Sequence, residues 1–370
     1  IVTGHSAMTA QLAVTTPRGS DPFASVDAAL RVDALDANDA NAAAEWNQFV
    51  TNAGGSFCHL NAWRTIMEDV LGHETKYLVA RTDNDEAAGL LPLVFVRSRL
   101  FGHYLLSMPF LNYGGPLGDQ ESRAMLCNEA LAMAQARNVD LLELRSRDSA
   151  PPGLAVTSRK IAVVLPLAPT VEEMWEERFR SKLRNKIKRP MNHGMEVRFG
   201  AQELEPFYEI FAHNMRDLGT PVMPRRWFEK IRDGMSDIAI FASVYWQNQH
   251  VASGCGFLWN GEFELTWSSA LREHNPKHPN MLLCWSLMQE CIKRGAHTFN
   301  FGRSTPDSNT HHFKDQWGGS DIPLPWGMWG RRTSPPNPNS PKYRLARGIW
   351  SRLPVGVSKR FGPTLARQLP

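Results

Sequence analysis

The strongest constraint on this chain is an order of elements that occurs twice. In the first half, an apolar strand region, Leu90–Met108, leads through a glycine-rich loop to a helical pattern at Ser122–Arg137 and then to the strand pattern Asp140-Leu-Leu-Glu-Leu-Arg-Ser. In the second half, strand patterns at Ile238–Tyr245, Gly254–Trp259 and Phe263–Ala270 lead through a loop to a helical pattern at Met281–Arg294. The strand Thr298-Phe-Asn-Phe-Gly-Arg-Ser follows. Both units end in Arg-Ser, at Arg145-Ser146 and Arg303-Ser304. Order repeated without identity predicts two mixed α/β lobes of one design. A chain of 370 residues, 42% hydrophobic and 21% charged, has the length and balance for two such globular units.

Local patterns place the boundaries. Residues before Asp33 are rich in Ala, Thr and Ser with scattered Pro and Gly, which reads as a mobile arm over 1–32, with Met8 a candidate start. From Asn61 a helix is expected: Trp63, Ile66, Met67, Val70 and Leu71 recur at three- and four-residue spacing, and Gly72 closes it. Strands follow at Tyr77–Ala80, Ala87–Arg97 and Tyr104–Met108, with Asp83-Asn-Asp-Glu as a polar turn. The first lobe is assigned to 33–168, the second to 169–330, and a basic, proline-rich tail to 331–370.

At the head of the second lobe, Thr170-Val-Glu-Glu forms a capping box that starts a helix. Its apolar stripe is Val171, Trp175, Phe179, Leu183 and Ile187, and Pro190 with Gly194 is expected to stop it. Acidic residues crowd its first turns, whereas Arg178 to Arg189 holds seven cations and no acid. Arg180, Arg184 and Lys188 form a row beside the stripe. That row is either a solvated face complementing the helix dipole or a surface that takes phosphate.

Composition narrows the function. No stretch approaches the roughly 18–20 apolar residues of a membrane span, and no basic region precedes an apolar one at the N-terminus, so a cytoplasmic location is expected. Five cysteines without a Cys-x-x-Cys pair argue for reduced, buried thiols rather than disulfides or zinc, and no metal is expected. A net charge of +4 is too small to announce a nucleic-acid binder by itself.

Chemistry gathers where the second repeat ends, in Phe299-Asn-Phe-Gly-Arg-Ser-Thr-Pro-Asp-Ser-Asn-Thr-His-His-Phe-Lys-Asp-Gln-Trp-Gly-Gly. A strand running into a loop dense in Gly, Ser, Asn and His is a common place for a site. The pattern F-G-R-S followed by H-F-K-x-Q-W-G resembles the C-terminal signature of the FemAB-like family, especially its exosortase/PEP-CTERM-associated branch. Leu218-Gly-Thr-Pro-Val-Met-Pro, Ser181-Lys-Leu-Arg-Asn-Lys-Ile-Lys-Arg and Asn112-Tyr-Gly-Gly-Pro-Leu resemble the same family in the same order, from about Trp46 to Trp329.

The resemblance implies an α/β (α+β) fold of two tandem GNAT-like lobes, each a mixed, mostly antiparallel sheet flanked by helices. It implies transfer of an acyl or aminoacyl group to an amine of an exopolysaccharide or peptidoglycan precursor, the donor being aminoacyl-tRNA in the peptidoglycan-bridge members. By motif, the Phe-Lys pair of their reaction centre corresponds to Phe313-Lys314. An ammonium there would stabilise the oxyanion formed when an ester is attacked, and Phe313 would pack on the acyl group.

Around that pair, His311 or His312 could take the amine's proton or serve only as a hydrogen-bonding residue. Asp315 could orient Lys314 or act as base, and Arg303 with Ser304 could clamp a phosphate or carboxylate. Trp317 and Trp326 read as packing. Tyr113-Gly114-Gly115 before a helix suggests an anion site for the acceptor, or only a tight turn. Glu273-His-Asn-Pro-Lys-His-Pro-Asn carries prolines and no glycine where a GNAT enzyme cradles the pyrophosphate of acetyl-CoA, which disfavours CoA in that mode. Lys277, His278 and Asn280 remain candidates for part of another donor.

No cofactor is expected beyond a donor substrate, aminoacyl-tRNA or an acyl thioester on CoA or a carrier protein. A protein that binds a glycan-linked precursor without catalysis stays open as a different class. The tail interleaves Tyr343, Leu345, Ile349, Trp350 and Leu353 with cations and carries no acid. It reads as a segment that lies on anionic lipid at the inner face of the membrane, as a segment docked on the second lobe, or as a free cationic tail.

Overall fold

The computed structural model describes residues 30–36, 39–99, 101–331 and 341–369. The mobile arm expected at 1–32 lies outside these residues up to position 29. From Arg31 the chain is already a strand.

Fifteen strands form two sheets: β1 (Arg31–Ala34), β2 (Glu74–Arg81), β3 (Ala87–Ser98), β4 (Gly102–Leu106), β5 (Leu117–Gly118), β6 (Leu141–Arg145), β7 (Ala155–Thr157), β8 (Ile161–Pro166), β9 (Glu196–Phe199), β10 (Ala239–Trp246), β11 (Gln249–Trp259), β12 (Glu262–Ala270), β13 (Thr298–Ser304), β14 (Ser320–Pro323) and β15 (Trp326–Trp329). The first sheet runs β1-β2-β3-β4-β6-β15-β7 with β5 beside β3, and the second runs β14-β8-β13-β12-β11-β10-β9. Each is antiparallel except at one central pair, β4–β6 in the first and β12–β13 in the second. In both, the parallel pair brackets a helix, Gln120–Ala136 and Pro279–Lys293, as the repeat predicts.

The lobes differ from the boundaries expected at 168 and 330, because they exchange strands. β8 pairs with β13 and β14 in the second sheet, and β15 returns to pair with β6 and β7 in the first. One continuous core joins the lobes. It packs the helices Ala40–Asn52, Ala62–Leu71, Leu204–Asp217 and Arg225–Gly234 around Trp46, Trp63, Trp227 and Phe257. Phe57 of the first lobe stacks on Phe257 of the second at 4.2 Å. A separate core beneath helix Gln120–Ala136 fills the other face of the first sheet, and another beneath helices Ser181–Asn192 and Pro279–Lys293 fills that of the second. Burial of this many large side chains is the main driving force for the fold.

Helix Ala62–Leu71 buries Trp63, Ile66, Met67 and Leu71, and Gly72 ends it at φ 68°. All five cysteines are buried and unpaired.

The helix expected from Thr170 to Arg189 is two helices. The Thr170 hydroxyl accepts from the Glu173 N–H at 3.1 Å, so the cap forms. The chain then passes through a π-helical turn at Met174–Arg178, and Phe179 is extended. A stripe at strict four-residue spacing outruns the 3.6 residues of an α-turn, and a wider turn holds Trp175 and Phe179 on one side. Phe179 is thereby fixed against Trp285 and Trp317, at 5.3 and 5.7 Å. The second segment, Ser181–Asn192, runs through Pro190 rather than stopping there, and Gly194 follows at φ 73°.

Candidate active site

The second sheet opens at its parallel pair. β12 and β13 are bonded only over Glu262–Glu264 and Thr298–Asn300. Beyond that point β12 stays with β11 as far as Ala270, and β13 stays with β8 through Ser304. The two strands splay, and a cavity of about 540 Å³ occupies the gap. Leu265 and Thr266 line it from β12, Phe301 and Arg303 from β13, His278, Asn280 and Met281 from the start of the following helix, and Phe313 and Lys314 from helix Asn309–Asp315.

The divergence has a local cause. Gly302 sits at φ 70° within a register shift between β13 and β8, and its N–H donates to Asn300 Oδ1 at 2.8 Å. Successive carbonyls of a regular strand point to opposite sides. Here those of Gly302 and Arg303 both accept from Lys314 Nζ, each at 2.9 Å. The left-handed turn at Gly302 makes that convergence possible.

Burial drives Lys314 down to about 8, against the opposing pull of the Glu264 carboxylate. Glu264 moves the other way. Burial, and next the Glu262 carboxylate, push it up to about 7. Its Oε1 accepts from Asn112 Nδ2 at 2.7 Å and from the Thr266 hydroxyl at 3.3 Å, and its Oε2 is buried without a partner. Thr266 lines the cavity, so Glu264 reaches it through that hydroxyl.

Arg303 is lowered to about 10 by burial and by the Arg145 guanidinium. The two arginines that end the repeats lie against one ring, that of Trp326, at 5.3 and 5.0 Å. In the first lobe the corresponding position is closed. Arg145 pairs with Glu143 at 2.8 Å and donates to the carbonyls of Met108 and Leu111. Among the described residues, the open splay at the end of the repeat thus belongs to the second lobe.

The structure brings Phe313, Lys314 and Arg303 to one cavity, along with His278 and Asn280. It separates the rest. His312 and Asp315 are exposed, and Lys314 bonds to backbone carbonyls rather than to Asp315. His311 pairs with Asp321 at 2.9 Å. Ser304 is buried in the sheet with its hydroxyl unpartnered. Lys277 rests over the Trp246 ring at 4.6 Å.

Arg184 donates to the carbonyls of Trp175 and Glu176 and to the Glu176 carboxylate, which ties it to the π-turn. Lys188 stands over the Trp175 ring at 5.8 Å. Tyr113 is buried, its hydroxyl accepting from Asn300 Nδ2 at 3.0 Å. Gly114 and Gly115 carry the chain past Met108 and Ser146, where a Cβ would collide. The helix that follows is capped by Asp119, whose carboxylate accepts from the Ser122 N–H at 2.8 Å. A carboxylate already occupies the place an anion would take, so this loop joins the lobes instead.

Sequence reasoning missed Glu264, Asn112 and the partly buried Asn300–Glu262–Arg147 set, in which Arg147 grips Glu262 through two bonds of 3.0 and 2.7 Å. Helix Pro279–Lys293 opens with a proline that has no N–H, and the Met281 N–H bonds to the His278 carbonyl at 3.0 Å. Two of its first three positions thus offer nothing to a pyrophosphate.

Residues 177–315 match the family described as acetyltransferase (GNAT) domain. That match falls within the second lobe, and the chain as a whole has the tandem GNAT fold. It is similar to the crystal structure of FemX over 82% of this chain and 98% of that one, at 14% identity and a TM-score of 0.59. It is also similar to the C-terminal domain of a putative lysylphosphatidylglycerol synthetase from Agrobacterium fabrum, over 83% and 94%, at 10% identity and 0.54. A tandem GNAT protein from the clavulanic acid biosynthesis pathway aligns over 83% and 100%, at 12% identity and 0.51. At these identities the likeness is one of fold. No curated protein matches the sequence. Among the described residues no helix is long and apolar enough to cross a membrane.

Proposed function

We propose that the protein is a FemAB-like N-acyltransferase that moves an aminoacyl group from aminoacyl-tRNA to an amine of a peptidoglycan or exopolysaccharide precursor at the inner face of the membrane. The observation that carries this reading is the Lys314 ammonium, held by two converging carbonyls at the mouth of a splayed parallel pair. An amine nitrogen attacks the ester carbonyl carbon, a C–N bond forms and the C–O bond to the donor breaks. Lys314, largely protonated at neutral pH, stabilises the oxyanion and supplies a proton to the leaving hydroxyl. The proton released by the amine passes through the Thr266 hydroxyl to the Glu264 carboxylate, whose value near 7 suits a base at neutral pH. Arg303 holds a fixed positive charge in the same cavity for a phosphate or carboxylate of either substrate.

The donor assignment is supported by the poor pyrophosphate cradle at Pro279 and by the fold likeness to FemX and to a putative lysylphosphatidylglycerol synthetase. It is tested by incubating the purified protein with extracted envelope precursors and labelled aminoacyl-tRNA, acetyl-CoA or charged acyl carrier protein. Label is expected to pass from aminoacyl-tRNA. Transfer from either thioester alone would reject the donor, and transfer from none would favour a non-catalytic binding protein.

A further inference from the structure

We infer that the two helices of the C-terminal tail form an interfacial surface by which the protein lies on an anionic lipid bilayer. This goes beyond the proposed reaction and does not depend on it.

The helices Pro341–Trp350 and Val355–Ala366 dock on one segment of the second lobe. Arg347 donates to the Leu218 carbonyl at 3.1 Å, and Arg216 donates to the Leu353 carbonyl at 3.0 Å. Lys359 pairs with Glu209, and Gly362 sits so close to Val222 that a Cβ there would fall 2.8 Å from it. The face that docks is Ser358, Gly362 and Ala366, spaced by four, and all three are buried. The tail is therefore a fixed part of the lobe.

These helices turn large apolar side chains outward. Leu345 and Ile349, one turn apart, are 69% and 59% exposed, and Val357 and Phe361, one turn apart on the second helix, are 37% and 56% exposed. Leu218, whose carbonyl holds Arg347, is 45% exposed. Exposed large apolar side chains clustered on packed elements mark a surface that another phase or partner covers.

Charge identifies the occupant. Arg344, Arg352, Arg360 and Arg367 of the same tail are exposed, and from 341 to 369 there is no acidic residue. Cations beside outward aliphatic and aromatic side chains complement an anionic headgroup layer with acyl chains beneath it. RNA would use the cations and one aromatic ring but has no use for Leu345, Ile349 and Val357.

The test is co-sedimentation of the full chain with vesicles of phosphatidylcholine alone and of phosphatidylcholine with phosphatidylglycerol, at low and at moderate salt. Three chains are compared: the native one, Ile349→Asn/Phe361→Asn and Arg344→Gln/Arg360→Gln. These positions are exposed, so the variants should keep the native melting temperature. The native chain is expected on anionic vesicles only, with less bound as salt rises, and each double variant should bind at least about tenfold more weakly. No retention on anionic vesicles at low salt, or equal retention of the Ile349→Asn/Phe361→Asn chain, would overturn the inference.

Discussion

Asn112 of the first lobe donates its side-chain amide to Oε1 of Glu264 in the second, at 2.7 Å, while the other carboxylate oxygen is buried with no partner. Burial, and next the Glu262 carboxylate, lift the group to near neutral pH, while the amide pulls the other way and fixes its position. Its proton affinity and that of Lys314 then frame the activity.

Transfer should follow a bell-shaped pH profile. Glu264 must be ionised to accept a proton, which places the acid limb near 7, and Lys314 must stay protonated, which places the alkaline limb near 8. The check is kcat against pH for the native protein and for Glu264→Gln. The variant should lose the acid limb with most of its activity, and an unchanged limb would remove Glu264 from the mechanism.

The same carboxyl should weaken the fold as pH rises. Folding raises its pKa from 4.5 to about 7, so the protonated form is the one the fold favours. Stability from this group is greatest below the unfolded value and declines as pH passes through the folded one, by roughly 3 kcal/mol in total. Glu264→Gln should therefore melt higher than the native protein at pH 8 and close to it at pH 4.5. Denaturant melts at the two pH values decide it.

Gly302→Ala should damage both stability and turnover. The position is at φ 70°, and an added Cβ would stand 3.1 Å from Asn112 Nδ2 and 3.2 Å from the Leu265 carbonyl. A cost of about 1–3 kcal/mol is expected from the backbone alone, and kcat should fall because the two carbonyls that hold Lys314 no longer converge. A variant with native melting and native kcat would contradict this account of the splay.

Arg184→Ala should lower stability by about 1 kcal/mol while leaving the KM for acceptor unchanged, because Arg184 is committed to the π-turn carbonyls. A salt-dependent rise in KM without a change in melting would instead restore the phosphate-binding reading of that row.

Much of this was legible before the structure. Lys314 and Phe313 stand in a local signature, and the repeat of strand, helix and strand survives because each piece is set by near neighbours. Glu264 was not legible. In Glu262-Phe-Glu-Leu-Thr the acidic side chains alternate with apolar ones, the pattern of a strand with one face in water. That face is instead covered by Asn112 and Tyr113 of the other lobe, and such coverage is a long-range fact. The return of Trp326–Trp329 to the first sheet is hidden for the same reason, since nothing local distinguishes pairing with β6 from pairing with β14. The break at Phe179 left a trace, the four-residue period, whose mismatch with an α-helix was the signal.

The central claim is that the Lys314 ammonium stabilises the charge formed during transfer. Lys314→Met keeps the stem and removes the charge, so single-turnover transfer from aminoacyl-tRNA should slow by about 100- to 1000-fold, with the melting temperature nearly unchanged. Native-like single-turnover rates in a correctly folded Lys314→Met protein would contradict the account.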